Sequence, residues 1–225
     1  MRKILILFLL LGIAEVKAQK PNPFGLLIIS DLETYREYVK ADPGKELIDL
    51  KKYIPGIKLD IRYATKNNFT GQAVYSQARA FARRPVAEAL KKVQGELKKS
   101  GLGLKIFDGY RPYTVTTRFF AIASDKSFVA NPKDGSRHNR GCAIDLTLID
   151  LKTGKELAMP TPYDSFAPEA ASDFKGLSEE VIKNRETLRV VMEKNNFRVL
   201  KNEWWHFDFI GWRNFELMDI PFEDL

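Results

Sequence analysis

Cysteine occurs once in the 225 residues, as Cys142, and histidine only twice, as His138 and His206. One cysteine excludes an intramolecular disulfide and any centre built from several thiolates. Beyond residue 18 the chain has no apolar run long enough to span a bilayer, no internal repeat, no low-complexity tract and no second domain boundary. Lysine and arginine (36) outnumber aspartate and glutamate (29), for a net charge of +7. The excess is scattered, as with Lys91, Lys92, Lys98 and Lys99 along one helical stretch, and no stripe interleaves it with aromatics. A solvated face accounts for it, and no nucleic-acid partner is expected.

The chain opens Met1-Arg2-Lys3, runs apolar over residues 4–14 and reaches Val16-Lys17-Ala18. A charged start, a short apolar core and a small-x-small end predict a signal peptide over 1–18, followed by a single domain over 19–225. The run is too short for a retained anchor, and no cysteine follows it to carry a lipid. Cleavage would remove three cations and one anion, taking the charge from +7 to +5. The expected location is exported, periplasmic or secreted, with no stable membrane insertion after cleavage. Oligomeric state is not legible.

Both histidines stand near carboxylates. His138 lies in Ser136-Arg137-His138-Asn139-Arg140-Gly141, which leads into Asp145; His206 lies in Glu203-Trp204-Trp205-His206. A catalytic zinc site takes three ligands from His, Asp, Glu or Cys and leaves one position open for water, whose pKa it lowers to about 7. A neighbouring carboxylate then moves the proton. His138, Asp145 and His206 are the candidate ligands of one zinc ion per chain, and Glu203 the candidate base. Residues 142–148 alternate, with Cys142, Ile144, Leu146 and Leu148 on one face and Ala143, Asp145 and Thr147 on the other. That is a strand with its apolar face in the core and Asp145 turned to a cleft. Cys142 sits with the apolar set and reads as a small core residue. Gly141 permits the sharp turn before the strand. Singly, each residue has a commoner structural reading: a packed histidine, a solvated aspartate, a core aromatic run. On the residues alone both readings stand.

Ser-x-His-x-x-Gly-x-x-x-Asp followed far downstream by Glu-x-x-His resembles the motif pair of the VanX-type D-alanyl-D-alanine dipeptidases. These are related to zinc D,D-carboxypeptidases and, in fold, to the hedgehog signalling domain. Residues 63–71 (Tyr-Ala-Thr-Lys-Asn-Asn-Phe-Thr-Gly) and 108–112 (Asp-Gly-Tyr-Arg-Pro) also look like dipeptidase blocks, in the family's order, and the likeness runs from about 47 to about 219. It implies hydrolysis of D-alanyl-D-alanine to two D-alanines in cell-wall peptide turnover, with the dipeptide as partner. It implies Arg111 as the cation for the oxyanion, with a structural salt bridge to Asp108 as the other reading. It implies Tyr63 in the substrate pocket, Ser136 near the substrate carboxylate and Asp164 on its free ammonium. The rivals are a zinc D,D-carboxypeptidase or endopeptidase acting on peptidoglycan, and a non-catalytic wall-binding module.

The expected fold is α+β: a small antiparallel sheet flanked by helices, with the zinc site in a cleft on the sheet. Strands are predicted over 57–63, 103–107, 142–148 and 197–200, and helices over 32–39, from 84 to about 97, from 113 to about 124, and from 178 to about 195. In a regular strand Glu203 and His206 would face opposite ways. A bend or bulge near Trp204, or a start of the strand after Glu203, is therefore expected. Apart from that helix over 32–39, residues 20–46 carry no assignment, nor do residues 211–225.

Overall fold

The computed structural model describes residues 21–225, and the expected signal peptide over 1–18 lies outside the described residues. In chain order the elements are β1 (Ile28–Ile29), α1 (Leu32–Ala41), β2 (Leu47–Asp49), α2 (Leu50–Tyr53), β3 (Lys58–Leu59), β4 (Phe81–Arg83), α3 (Arg84–Lys98), β5 (Leu102–Asp108), α4 (Tyr113–Ile122), β6 (Ala143–Asp150), α5 (Glu179–Lys194), β7 (Phe197–Leu200), β8 (Glu203–Phe209) and β9 (Leu217–Met218). Among the described residues no helix is long and apolar enough to cross a membrane.

The architecture is α+β, as expected. One five-stranded sheet runs β3-β5-β6-β8-β7; its pairings are antiparallel except for the two-residue parallel pair of β3 with β5. β6 is central. Cys142, Ile144, Leu146 and Leu148 are all fully buried on its apolar side. α3 packs along β5 and against α5, and α5 packs along β7 and β6. α3 forms where Pro85 occupies its first turn and Val86, Leu90, Val93 and Leu97 repeat at helical spacing, all buried. α5 starts at Ser178, whose side chain accepts from the Val181 N–H, with Glu179 and Glu180 in the positive first turn.

The second face of β6, which carries Asp145, is also buried: Ala143 and Thr147 are fully buried and Asp145 is 3% exposed. One sequence expectation changes: the strand expected over 57–63 is only β3. The Asp60 N–H still reaches the Ile106 carbonyl, but residues 62–64 then tighten into a 3-10 turn. The Asn68 side chain holds that turn, donating to the carbonyls of Arg62, Thr65 and Gln72. The two unassigned segments meet in a small separate sheet, β1 beside β9, in parallel.

Two irregularities flank β6. Between β5 and β6 the register shifts so that Ile106 pairs with Leu146 but Asp108 pairs with Asp145, leaving Phe107 as the extra residue. Between β7 and β8 it jumps from Val199–Phe207 to Leu200–Glu203. A bulge reorients the side chains beside it. The first sets Asp108 beside Asp145, and the second lets Glu203 and His206 share a side.

Candidate active site

His138 sits in a 3-10 turn, His138–Arg140, that ends at Gly141 with φ +67°. Only glycine takes that conformation without strain, and a Cβ there would lie 2.8 Å from Leu47 Cδ2. The turn delivers His138 against the start of β6. Asp145 pairs with His206 across β6 and β8. Three atoms converge: His138 Nε2 lies 3.4 Å from Asp145 Oδ1 and 3.2 Å from His206 Nδ1, which is 3.0 Å from Asp145 Oδ1. All three residues are buried.

The outer hydrogen bonds assign the protons. His138 Nδ1–H donates to the Gly109 carbonyl at 2.7 Å, and His206 Nε2–H donates to Asp208 Oδ1 at 3.0 Å. When the rings are neutral, the inward nitrogens therefore carry lone pairs. With both inward ring nitrogens unprotonated, Asp145 Oδ1 has no hydrogen-bond donor, while Oδ2 accepts from the Tyr163 hydroxyl at 2.9 Å. Three buried acceptors facing one point need a cation. Ligands about 2.0–2.1 Å from a tetrahedral zinc ion lie about 3.3–3.4 Å apart, close to the spacing found. The residues fit zinc. A proton competes for the same place: burial opposes charge on His206, but hydrogen bonds to Asp145 and Asp208 hold its pKa well above the ordinary histidine range.

Glu203 is at the first position of β8, with Oε2 3.6 Å from His206 Nδ1. Burial raises its carboxyl above the usual range, and His206 opposes that rise. The bulge expected near Trp204 is present. Arg111 donates from Nε and Nη2 to Asp108 Oδ2, at 3.0 and 2.7 Å, and stands 4.0 Å from Asp145 Oδ2. The salt bridge to Asp108 is therefore real, and it holds the guanidinium beside the ligands. Phe119 and Tyr63 cover the guanidinium, with ring centroids at 4.8 and 5.4 Å.

Tyr63, Ser136 and Asp164 line the same cavity, of about 100 Å³, as the metal trio, Glu203 and Arg111. The Tyr63 hydroxyl donates to Asp164 Oδ1 at 3.0 Å; Asp164 Oδ2 is buried with no partner. Asp164 has φ +62°, a conformation uncommon outside glycine. Burial, then the nearby Asp145, push its carboxyl well above the usual range. Ser136 Oγ accepts from the His138 N–H at 3.2 Å, which leaves the hydroxyl proton free to turn into the cavity. Cys142 Sγ faces the Arg140 carbonyl at 3.4 Å, apart from the trio.

Sequence reasoning missed Asp208 and Tyr163, which orient His206 and Asp145. Asp208 had a signal: two residues on from His206 in a strand, it shares a face with it. Tyr163 had none, since only the folded loop brings it to Asp145. Outer partners of this kind typically change metal affinity 10- to 100-fold. Asp208→Asn is therefore expected to weaken zinc binding by about that factor in a chelator competition; unchanged affinity would remove Asp208 from the site.

The family profile described as D-ala-D-ala dipeptidase matches residues 44–219. A D-alanyl-D-alanine dipeptidase of Escherichia coli (strain K12) is 34% identical over 163 residues, 72% of this chain and 84% of that protein. One of Enterococcus faecalis (strain ATCC 700802 / V583) is 31% identical over 198 residues, 78% of this chain and 93% of that protein. A solved LD-carboxypeptidase aligns at 18% identity with a TM-score of 0.42, covering 75% of this chain and 69% of that one. With the profile spanning most of the chain, and relatives at this identity over most of their own length, the protein belongs to the D-ala-D-ala dipeptidase family and is a zinc-type metallopeptidase.

Proposed function

We propose that the chain, as a single domain over 19–225, hydrolyses D-alanyl-D-alanine to two D-alanines, using one zinc ion held by His138, Asp145 and His206. The observation that carries this reading is one small cavity with a three-acceptor candidate metal site in it and, beside that site, the buried carboxyl of Asp164 with its Oδ2 unpartnered, which a bound ammonium would hold in its ionised form. A free ammonium would pair with that carboxylate, and a long peptide has no ammonium to offer there. Tyr63 steadies the other oxygen of Asp164.

When bound, zinc supplies a Lewis acid that activates water at neutral pH. Glu203 takes the water's proton and passes it to the leaving amine. Arg111, fixed by Asp108, offers positive charge where the carbonyl oxygen becomes anionic. Ser136 turns its hydroxyl to the substrate carboxylate. The wall of Tyr63, Phe119 and Trp205 excludes bulk water, so these charges act at low dielectric. Export rests on the form of residues 1–18, and a role in wall peptide turnover on the chemistry of the D-alanyl-D-alanine substrate.

The test is a side-by-side assay of the zinc-loaded protein on D-Ala-D-Ala, its N-acetyl derivative and a longer peptide ending in D-Ala-D-Ala. The free dipeptide alone should be cleaved, and Asp164→Asn should raise KM for it by about 10-fold or more through loss of a charge-assisted contact. Cleavage of the longer peptide would instead mean a carboxypeptidase or endopeptidase, with Asp164 reduced to a loop residue. Zinc binding without any cleavage would mean a wall-binding module.

A further inference from the structure

A dipeptide with both ends free is a zwitterion, so a cavity built for it needs a cation as well as the carboxylate of Asp164. Two arginines are among the residues that line the cavity, Arg111 and Arg137. Arg111 is engaged: two of its nitrogens hold Asp108, and it lies against Asp145, on the side where bond cleavage takes place. Arg137 is differently placed. Its side chain is 44% exposed at the rim, its Nε stands 3.5 Å from Asp208 Oδ2, and its guanidinium carbon lies 5.0 Å from the centroid of the Trp212 ring. Neither terminal nitrogen makes a hydrogen bond among the described residues, so both donors of the fork are open while the group itself is held on two sides. Arg137 also directly follows Ser136, whose hydroxyl faces the same cavity.

We propose that Arg137 is a specificity residue that recognises the free C-terminal carboxylate of a short zwitterionic peptide, together with the Ser136 hydroxyl. The inference rests on the dipeptidase reading of the site. An arginine fork matches a carboxylate with two parallel N–H bonds, a geometry a lysine does not offer. The Trp212 ring below the fork and Asp208 beside it limit its rotamers, so less freedom is lost when the carboxylate docks. Asp164 and Arg137 then act as two ends of a gauge. A peptide qualifies when its ammonium and carboxylate are one dipeptide length apart, with the bond to be cut between them.

Arg137→Met and Arg137→Lys, each zinc-loaded, would be assayed on D-Ala-D-Ala and on its C-terminal amide, with zinc affinity measured beside activity. The wild type should favour the acid over the amide by about 10- to 100-fold, the worth of one charge-assisted contact at a partly exposed site. Arg137→Met should bring that ratio close to one, chiefly through KM for the acid, with zinc affinity kept; Arg137→Lys should recover part of the preference. An unchanged acid-to-amide ratio in Arg137→Met would overturn the proposal. So would weakened zinc binding with equal losses on both substrates, since Arg137 would then act through Asp208 on His206. If the wild type cleaves neither compound, it is the dipeptidase reading that falls, a result the variants do not mimic.

Discussion

Glu203→Gln should lower turnover of D-Ala-D-Ala by about 100- to 10,000-fold, the range general acid–base catalysis supplies, while the protein keeps its zinc. The substitution is nearly isosteric, and Glu203 is none of the three converging acceptors, so the metal site should persist. The 3.6 Å separation of its Oε2 from His206 Nδ1 puts it at the rim of that site. Turnover within a few-fold of the wild type would take Glu203 out of the mechanism. Loss of zinc in the variant would make Glu203 a ligand, and the rate would then say nothing about proton transfer.

His138→Ala should remove both zinc and activity. Three candidate ligands become two, and neither Asp145 Oδ2, held by Tyr163, nor the thiol of Cys142, apart from the trio, is placed to fill the vacated position. Stability offers a second readout. A ligand at a thousandfold excess over its Kd stabilises the folded state by about 4 kcal/mol, which at this chain length corresponds to roughly 8–16 °C in Tm. Zinc should therefore raise the Tm of the wild type by about that much and leave His138→Ala unmoved. A variant that still shifts with zinc would place the ion elsewhere.

The candidate ligands were legible because the chain has so few alternatives. With two histidines, and with Asp145 on the polar side of a strand of period two, few assignments were open. The helices were legible from their stripes and caps, as at Pro85 and Ser178. What escaped depends on irregularity and on distance along the chain. The bulge that brings Glu203 beside His206 could be inferred only as a requirement, from the mismatch between a spacing of three and a period of two. The extra residue at Phe107 had no such mismatch to expose it. The strand expected through Tyr63 stopped early because Asn68 pulls the carbonyls after Asp60 into a turn, a side-chain bond that alternation does not register. The pairing of β1 with β9 joins segments with no pattern of their own, far apart in the chain.

Cys142 stands four positions from His138, yet its side chain is fully buried, and burial pushes its thiol up to about 12. The candidate metal donors are nitrogen and oxygen alone. Oxidants act on thiolates, and this protein offers them none at neutral pH. Its capacity to hold zinc should therefore be indifferent to the redox potential around it. Disulfides, peroxide and glutathione should leave the metal in place, and the same chain would keep its ion whether the surroundings are reducing or oxidising.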